Sequence, residues 1–226
     1  MNGEAARQSP LSAEQRRKVL RSVMILLAVI ALFIALFINK LTSPVLLSDE
    51  QLKTQGAFLF DNPRSFKDFS LVDFHGEAFT PANLAGKWSL VFFGFTYCPD
   101  VCPTTMALLN RFYREQQQGP FAKDLQVVMV TVDPARDSPE KLLPYVSFFN
   151  PDFIGVGGEF LNLHRFATQL NIPFTKVPGG GDNYQVSHSG NVAIINPQGH
   201  YVGFFRAPLD LMNLKITYES IRRSRD

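Results

Sequence analysis

Residues 22–39 (SVMILLAVIALFIALFIN) carry no charge, and within them residues 23–38 are apolar throughout. As a helix rising about 1.5 Å per residue, this run is roughly 27 Å long, close to the ~30 Å core of a bilayer. A core helix of a soluble domain would keep a polar face, and this run has none. A cleaved secretory signal would be followed by small residues, but Asn39-Lys40-Leu41-Thr42 follows here, a poor cleavage site. The run is therefore read as an uncleaved membrane anchor. It divides the chain into a cytoplasmic tail (1–21), the anchor (22–39), a linker (40–65) and one domain (66–226).

The flanks set the orientation. Arg7, Arg16, Arg17, Lys18 and Arg21 stand before the run against Glu4 and Glu14, and just after it stands only Lys40. The positive-inside rule keeps the tail in the cytoplasm and exports the rest. The acidic residues and the short leader speak against a mitochondrial presequence. The expected location is a bacterial inner membrane, single-pass, with the C-terminal domain in the periplasm.

This topology explains the net charge of +2. With five basic and two acidic residues in the tail, the remainder shares 17 basic and 18 acidic side chains. No basic excess is left to bind nucleic acid. An aromatic content of 12% argues against disorder. Two cysteines exclude a four-cysteine zinc site or an iron–sulfur cluster within one chain.

Within the domain, strand and helix signals alternate. Residues 69–74 alternate and turn at Gly76, which predicts a small hairpin. The continuous apolar runs 88–95 and 125–132 predict central strands covered on both faces. Helical spacing appears over 101–117 and 159–170, and Asp137-Ser138-Pro139-Glu140 opens another helix, with Asp137 as its expected cap. A short strand is expected over 153–156. Strands 191–195 and 201–206 flank Asn196-Pro197-Gln198-Gly199, sound turn chemistry for a hairpin. A last helix covers 209–223. Residues 41–64 have weak periodicity and read as a tether with some helix around 48–55. Early β-α-β crossovers joined to a late antiparallel hairpin give an α/β fold, a thioredoxin-like mixed sheet flanked by helices.

Both cysteines lie in Cys98-Pro99-Asp100-Val101-Cys102, where the first central strand ends and a helix begins. The N-terminus of a helix favours thiolate over thiol. If the first turn is helical, the i, i+4 spacing puts both sulfurs on one face, with Cα atoms about 6 Å apart, within disulfide range. The same pair could converge on one metal ion. A permanent structural disulfide is the plainer alternative, but closing so short a loop stabilises weakly.

Of the four histidines, His75, His164 and His200 read as turn or surface residues. His188 follows the flexible Pro178-Gly179-Gly180-Gly181 stretch and enters the late hairpin, which in a thioredoxin-like sheet faces the cysteine turn. Two thiolates and an imidazole suit copper in either state, since thiolates select Cu(I) and imidazole also accommodates Cu(II). A closed structural zinc site normally needs four ligands. Asp133 closes the second central strand, near the sheet's carboxyl end where α/β sites gather. Asp100, between the cysteines, is expected to be exposed, and Arg136 to offer charge to a docking partner.

Phe93-Gly94-Phe95-Thr96-Tyr97-Cys98-Pro99-Asp100-Val101-Cys102-Pro103 resembles the signature of the Sco/SenC family. Asp133-Pro134-Ala135-Arg136-Asp137-Ser138-Pro139 and Tyr184-Gln185-Val186-Ser187-His188-Ser189 are similar to its second and third motifs. The likeness runs in order over about 66–206. It implies a copper-binding protein that assembles the dinuclear copper centre of cytochrome c oxidase, with Cys98, Cys102 and His188 as copper ligands. The implied partners are the oxidase subunit that accepts copper and a periplasmic copper donor or thiol reductant. The family is also assigned thiol–disulfide activity on that subunit's cysteines, with Cys98 and Cys102 as the redox pair, forming a disulfide when oxidised. Asp100, Asp133 and Arg136 are candidates for supporting the ligands or touching a partner. One departure is Ser187, where the family usually has an acidic residue before the histidine. A redox sensor is a further alternative. A peroxidase reading is disfavoured, because only Thr96 stands where such enzymes carry both Pro and Thr.

Overall fold

The computed structural model describes residues 12–42, 46–119 and 123–225. Expectations for Glu4, Arg7 and Pro44 lie outside these residues. The chain forms two compact units, Met1–Val45 and Leu46–Asp226.

The described residues of the first unit contain one helix, α1 (Ala13–Thr42). It starts earlier than the apolar run because Ser12 caps it. The Gln15 amide donates to Ser12 Oγ at 3.3 Å, and the Ser12 amide donates back to Gln15 Oε1 at 2.9 Å. Glu14 and Lys18, one turn apart, pair at 2.8 Å. Beyond Arg21 its apolar side chains are exposed on every side. Among the described residues, Ala13–Lys40 is one helix long and apolar enough to cross a membrane.

The second unit contains α2 (Asp49–Thr54), β1 (Ala57–Ser65), β2 (Leu71–Asp73), β3 (Ala78–Phe79), β4 (Trp88–Gly94), α3 (Val101–Gln116), β5 (Leu125–Thr131), α4 (Pro139–Phe149), β6 (Ile154–Gly157), α5 (Phe160–Gln169), β7 (Phe174–Lys176), β8 (Val186–His188), β9 (Val192–Ile195), β10 (His200–Phe205) and α6 (Leu211–Arg225). Eight strands form one sheet in the order β1-β10-β9-β4-β5-β6-β2-β3. Strands β4, β5 and β6 run parallel, and the other pairings in the sheet are antiparallel. This is the thioredoxin-like mixed sheet that the alternating signals predict. Strands β4 and β5 are buried at every position, as continuous apolar runs require. Trp88 and Phe112 pack edge-on against Tyr218, fastening α6 and α3 to the sheet. Phe93 meets Phe166 of α5 at 5.9 Å. Helices therefore cover both faces.

The helix expected around 48–55 is present as α2, but the tether reading of the rest of 40–65 is corrected from Leu47 onward. The Leu47 amide donates to Ser220 Oγ at 2.8 Å, Ser48 and Gln51 form a capping box on α2, and Ala57–Ser65 is an edge strand on β10. An edge strand pairs on one side only, so it tolerates Pro63 and the charges of Asp61 and Arg64. Those residues mask its periodicity. Phe58 stacks on Phe204 at 5.2 Å and supplies part of the attachment. Strands β7 and β8 form a separate two-stranded sheet, which the pattern did not announce because each has only three residues.

Candidate functional site

The site is built where β4 ends. After Gly94 the chain makes a turn before α3 begins at Val101. The Cys98 amide donates to the Phe95 carbonyl at 3.1 Å. Cys98 thus precedes the helix and is not part of its first turn, so the helical i, i+4 relation does not bring the sulfurs together. Instead, the Cys102 amide donates to Cys98 Sγ at 3.4 Å. An N-terminal amide of α3 thereby serves the outer sulfur directly.

The two thiols are unlike, and both are free. Cys98 is half-buried, and Cys102 is 0% exposed. Gly94 makes room for the inner sulfur, since a Cβ there would fall 3.1 Å from Cys102 Sγ and 2.9 Å from the Phe92 ring. Burial pushes the Cys102 thiol well above its ordinary value, and the neighbouring Cys98 adds to the shift. The acidifying influence expected from the helix end is outweighed at the inner cysteine by loss of solvent.

Asp137 fixes the turn from below. Its carboxylate accepts from the Thr96 amide at 3.0 Å, the Thr96 hydroxyl at 2.5 Å and the Thr131 hydroxyl at 2.6 Å. Ser138, not Asp137, occupies the cap of α4. The expected capping role is corrected: Asp137 is buried and turned toward the strand ends. Burial raises its pKa, while the Thr131 and Thr96 bonds pull it back.

His188 ends β8, paired with Phe174 of β7. Its ring lies edge-on to Phe95 at 5.9 Å, beside the strand that leads to the cysteines. Nδ1 stands 3.0 Å from the Val186 carbonyl. Burial holds the imidazole below its usual value, against the pull of the Val186 and Phe93 backbones. The shift favours the neutral ring, the form that binds metals. Among the described residues, however, no three His, Cys, Asp or Glu side chains are already gathered to hold an ion. The structure brings the two sulfurs together and sets the imidazole at the end of the same strand, without closing it onto them.

Asp100 sits at the N-cap of α3, exposed, and caps no backbone amide with its side chain. Its Oδ1 accepts weakly from the Thr104 hydroxyl at 3.5 Å. Asp133 is 3% exposed. It accepts from Arg136 Nε at 2.5 Å and from the Tyr184 hydroxyl at 2.6 Å. The role of Arg136 as a charge presented to a partner is corrected, because its guanidinium is turned inward and only 13% exposed. The reason is that Asp133, the Asp182 carbonyl and the Tyr184 carbonyl engage its donors.

Three contributors escaped the sequence reading. Tyr184 lies in the third motif but looks like an ordinary aromatic residue there. Gly94 is hidden within a strand. Tyr145 of α4 has a buried hydroxyl without a hydrogen-bond partner. Burial raises the pKa of that hydroxyl, and the nearby Cys102 and Cys98 raise it further. None of the three has a spacing signal, because each depends on contacts between distant segments.

Comparison with known proteins finds relatives of this chain. The family model described as SCO1/SenC matches residues 61–220. A protein of Stutzerimonas stutzeri that bears the name copper-binding protein is 38% identical over 176 residues, covering 77% of this chain and 86% of its own. The copper-bound crystal structure of Arabidopsis thaliana ScoI superposes with a TM-score of 0.65 at 30% identity, covering 70% of this chain and 98% of that one. Copper-bound yeast Sco1 superposes at 0.63 and 30% identity, covering 73% of this chain and 90% of its own.

Proposed function

The chain belongs to the SCO1/SenC family, and from that premise we propose that it binds copper through Cys98, Cys102 and His188 and delivers it to the copper-accepting subunit of cytochrome c oxidase during assembly. The single observation that carries this reading is the dithiol at the end of β4, with the Cys102 amide on Cys98 Sγ at 3.4 Å and a neutral imidazole beside the same strand end. Two thiolates are a sufficient donor set for Cu(I), and adding the imidazole extends it to Cu(II). The residues present fit copper: both sulfurs are free, and burial lowers the pKa of the ring, which favours its metal-binding form. Completing the set requires the imidazole and the sulfurs to close on one another, since no three such side chains are gathered among the described residues.

Copper here is cargo. The half-buried Cys98 is the sulfur an acceptor reaches, and Cys102 holds the ion from within. Helix α1 anchors the domain, and the basic tail orients it toward the periplasm. The test is a titration of the full chain, reduced and in detergent, with Cu(I) and separately with Cu(II), on wild type and His188→Ala. Tight binding of both ions by wild type, with selective loss of Cu(II) in the variant, is expected. Failure of wild type to bind either ion overturns the reading.

The unlike burial of the thiols supports a second reading, a thiol–disulfide reductase. The Cys98 thiolate attacks a partner disulfide and forms a mixed disulfide, releasing one partner thiolate. Cys102 then gives up its proton and attacks the Cys98 sulfur, releasing the second partner thiolate. Two protein thiols are oxidised to one disulfide as the partner disulfide is reduced to two thiols. Wild-type oxidase assembly in cells carrying His188→Ala would favour this reading over copper delivery.

A further inference from the structure

We propose that Arg136 is the positioning residue that clasps the His188-bearing segment to the cysteine turn and so sets the preference between Cu(II) and Cu(I). The second half of this inference rests on the copper reading above.

Arg136 lies just past β5, in a tight turn whose Asp137 amide donates to the Asp133 carbonyl at 2.9 Å. From there its guanidinium reaches three segments at once. Nε donates to Asp133 Oδ2 at 2.5 Å, Nη1 to the Asp182 carbonyl at 3.0 Å, and Nη2 to the Tyr184 carbonyl at 2.8 Å. Its Cζ also lies 3.6 Å from the centroid of the Tyr184 ring, 4.7 Å from that of Tyr97 and 5.8 Å from that of Phe95. Phe95 and Tyr97 lead directly into Cys98. Asp182 and Tyr184 lead directly into His188. Asp133 accepts from Arg136 and also from the Tyr184 hydroxyl at 2.6 Å, which closes the ring of contacts. Lys176 Nζ lies 3.6 Å from the centroid of the Tyr184 ring.

The segment has need of such a clasp. Gly179, Gly180 and Gly181 all have positive φ, and glycine gives the chain its widest freedom. Strand β8 pairs only with the three-residue β7, outside the main sheet. The guanidinium fork is therefore a direct polar link between the histidine's approach and the end of β5. A lysine cannot reproduce it, because a single ammonium does not present the planar set of donors that meets two carbonyls and a carboxylate together.

The chemistry follows from which ion needs which ligand. Cu(I) is satisfied by the two thiolates, and Cu(II) depends on the imidazole. A residue that places only the imidazole should change Cu(II) binding and spare Cu(I).

The test uses the full chain in detergent micelles, as wild type, Arg136→Met and Arg136→Lys. Tyr184→Phe, which keeps the guanidinium and removes one bond to Asp133, is the milder variant should the first two fail to fold. Hydrogen exchange on the metal-free, reduced protein is expected to speed up at amides 182–188 in the Arg136 variants, with β4 and β5 unchanged. Cu(II) affinity is expected to fall about 10- to 100-fold, the usual cost of losing a residue that orients a ligand, while Cu(I) affinity changes less than about threefold. A merely structural role would speed exchange across the whole domain and leave the ratio of the two affinities unmoved, and that result overturns the proposal. Unchanged exchange at 182–188 overturns it as well. If wild type binds neither ion, the copper reading and the affinity half fall together. Exchange confined to 182–188 then still upholds the clasp.

Discussion

The carboxylate of Asp137 takes three donors, two of them from Thr96, two residues before Cys98. Asp137→Ala leaves the Thr96 amide, the part-buried Thr96 hydroxyl and the buried Thr131 hydroxyl without their acceptor. The expected cost is about 3 kcal/mol, read as a lower urea midpoint with an unchanged slope. His188 predicts a pH effect. Its folded pKa lies below the ordinary 6.5, so the unfolded chain takes up the proton more readily. That contribution to stability is fully present above the unfolded value and is lost as pH falls through the folded value. Thermal unfolding of the metal-free chain should therefore drop on acidification below about 6.5, and His188→Asn should flatten that part of the profile. At this scale the sequence was informative where chemistry is rare. Two cysteines and a histidine after glycines stand out in any chain. Asp137, two residues before Pro139, has the sequence signature of a cap, and only the closure of β5 against the cysteine turn reveals what it accepts from.

Elements were legible in proportion to how completely they are buried. Strands β4 and β5 are buried at every residue, and their apolar runs show in the sequence. Strand β1, exposed over its last five positions, gives no alternation, and its register shifts between Leu59 and Arg64. Its attachment depends instead on close backbone approach at Gly203 of β10. A Cβ there would fall 2.1 Å from the Phe58 carbonyl oxygen, at φ +158. Gly203→Ala is expected to push β1 off the sheet edge. Faster hydrogen exchange at residues 57–60, with β4 and β5 still protected, would check it; an unchanged pattern would refute it. The exposed edge of β10 should then also promote self-association, visible by light scattering.

At the scale of the whole molecule, the domain from Leu46 to Asp226 is a compact unit with its own core. A chain starting at residue 46 is expected to fold without detergent, within about 1 kcal/mol of the full chain, or roughly 2–4 °C in melting midpoint. A start at residue 66 removes α2 and β1 and should fold less stably than the chain starting at 46, whereas a mere linker over 46–65 would leave the two equal. The separate N-terminal helix is readable because its length and apolar composition, sufficient to cross a bilayer, are demanded by few other environments. The domain's N-terminal border was not, since nothing local distinguishes an edge strand from a tether. The site itself carries one more consequence. Because Cys102 is walled in and Cys98 is half-open, any visitor meets the sulfurs in sequence, the outer one on arrival and the inner one only later. The fold thereby turns a difference of depth into an order in time, and a transfer that begins at this turn has a fixed first step.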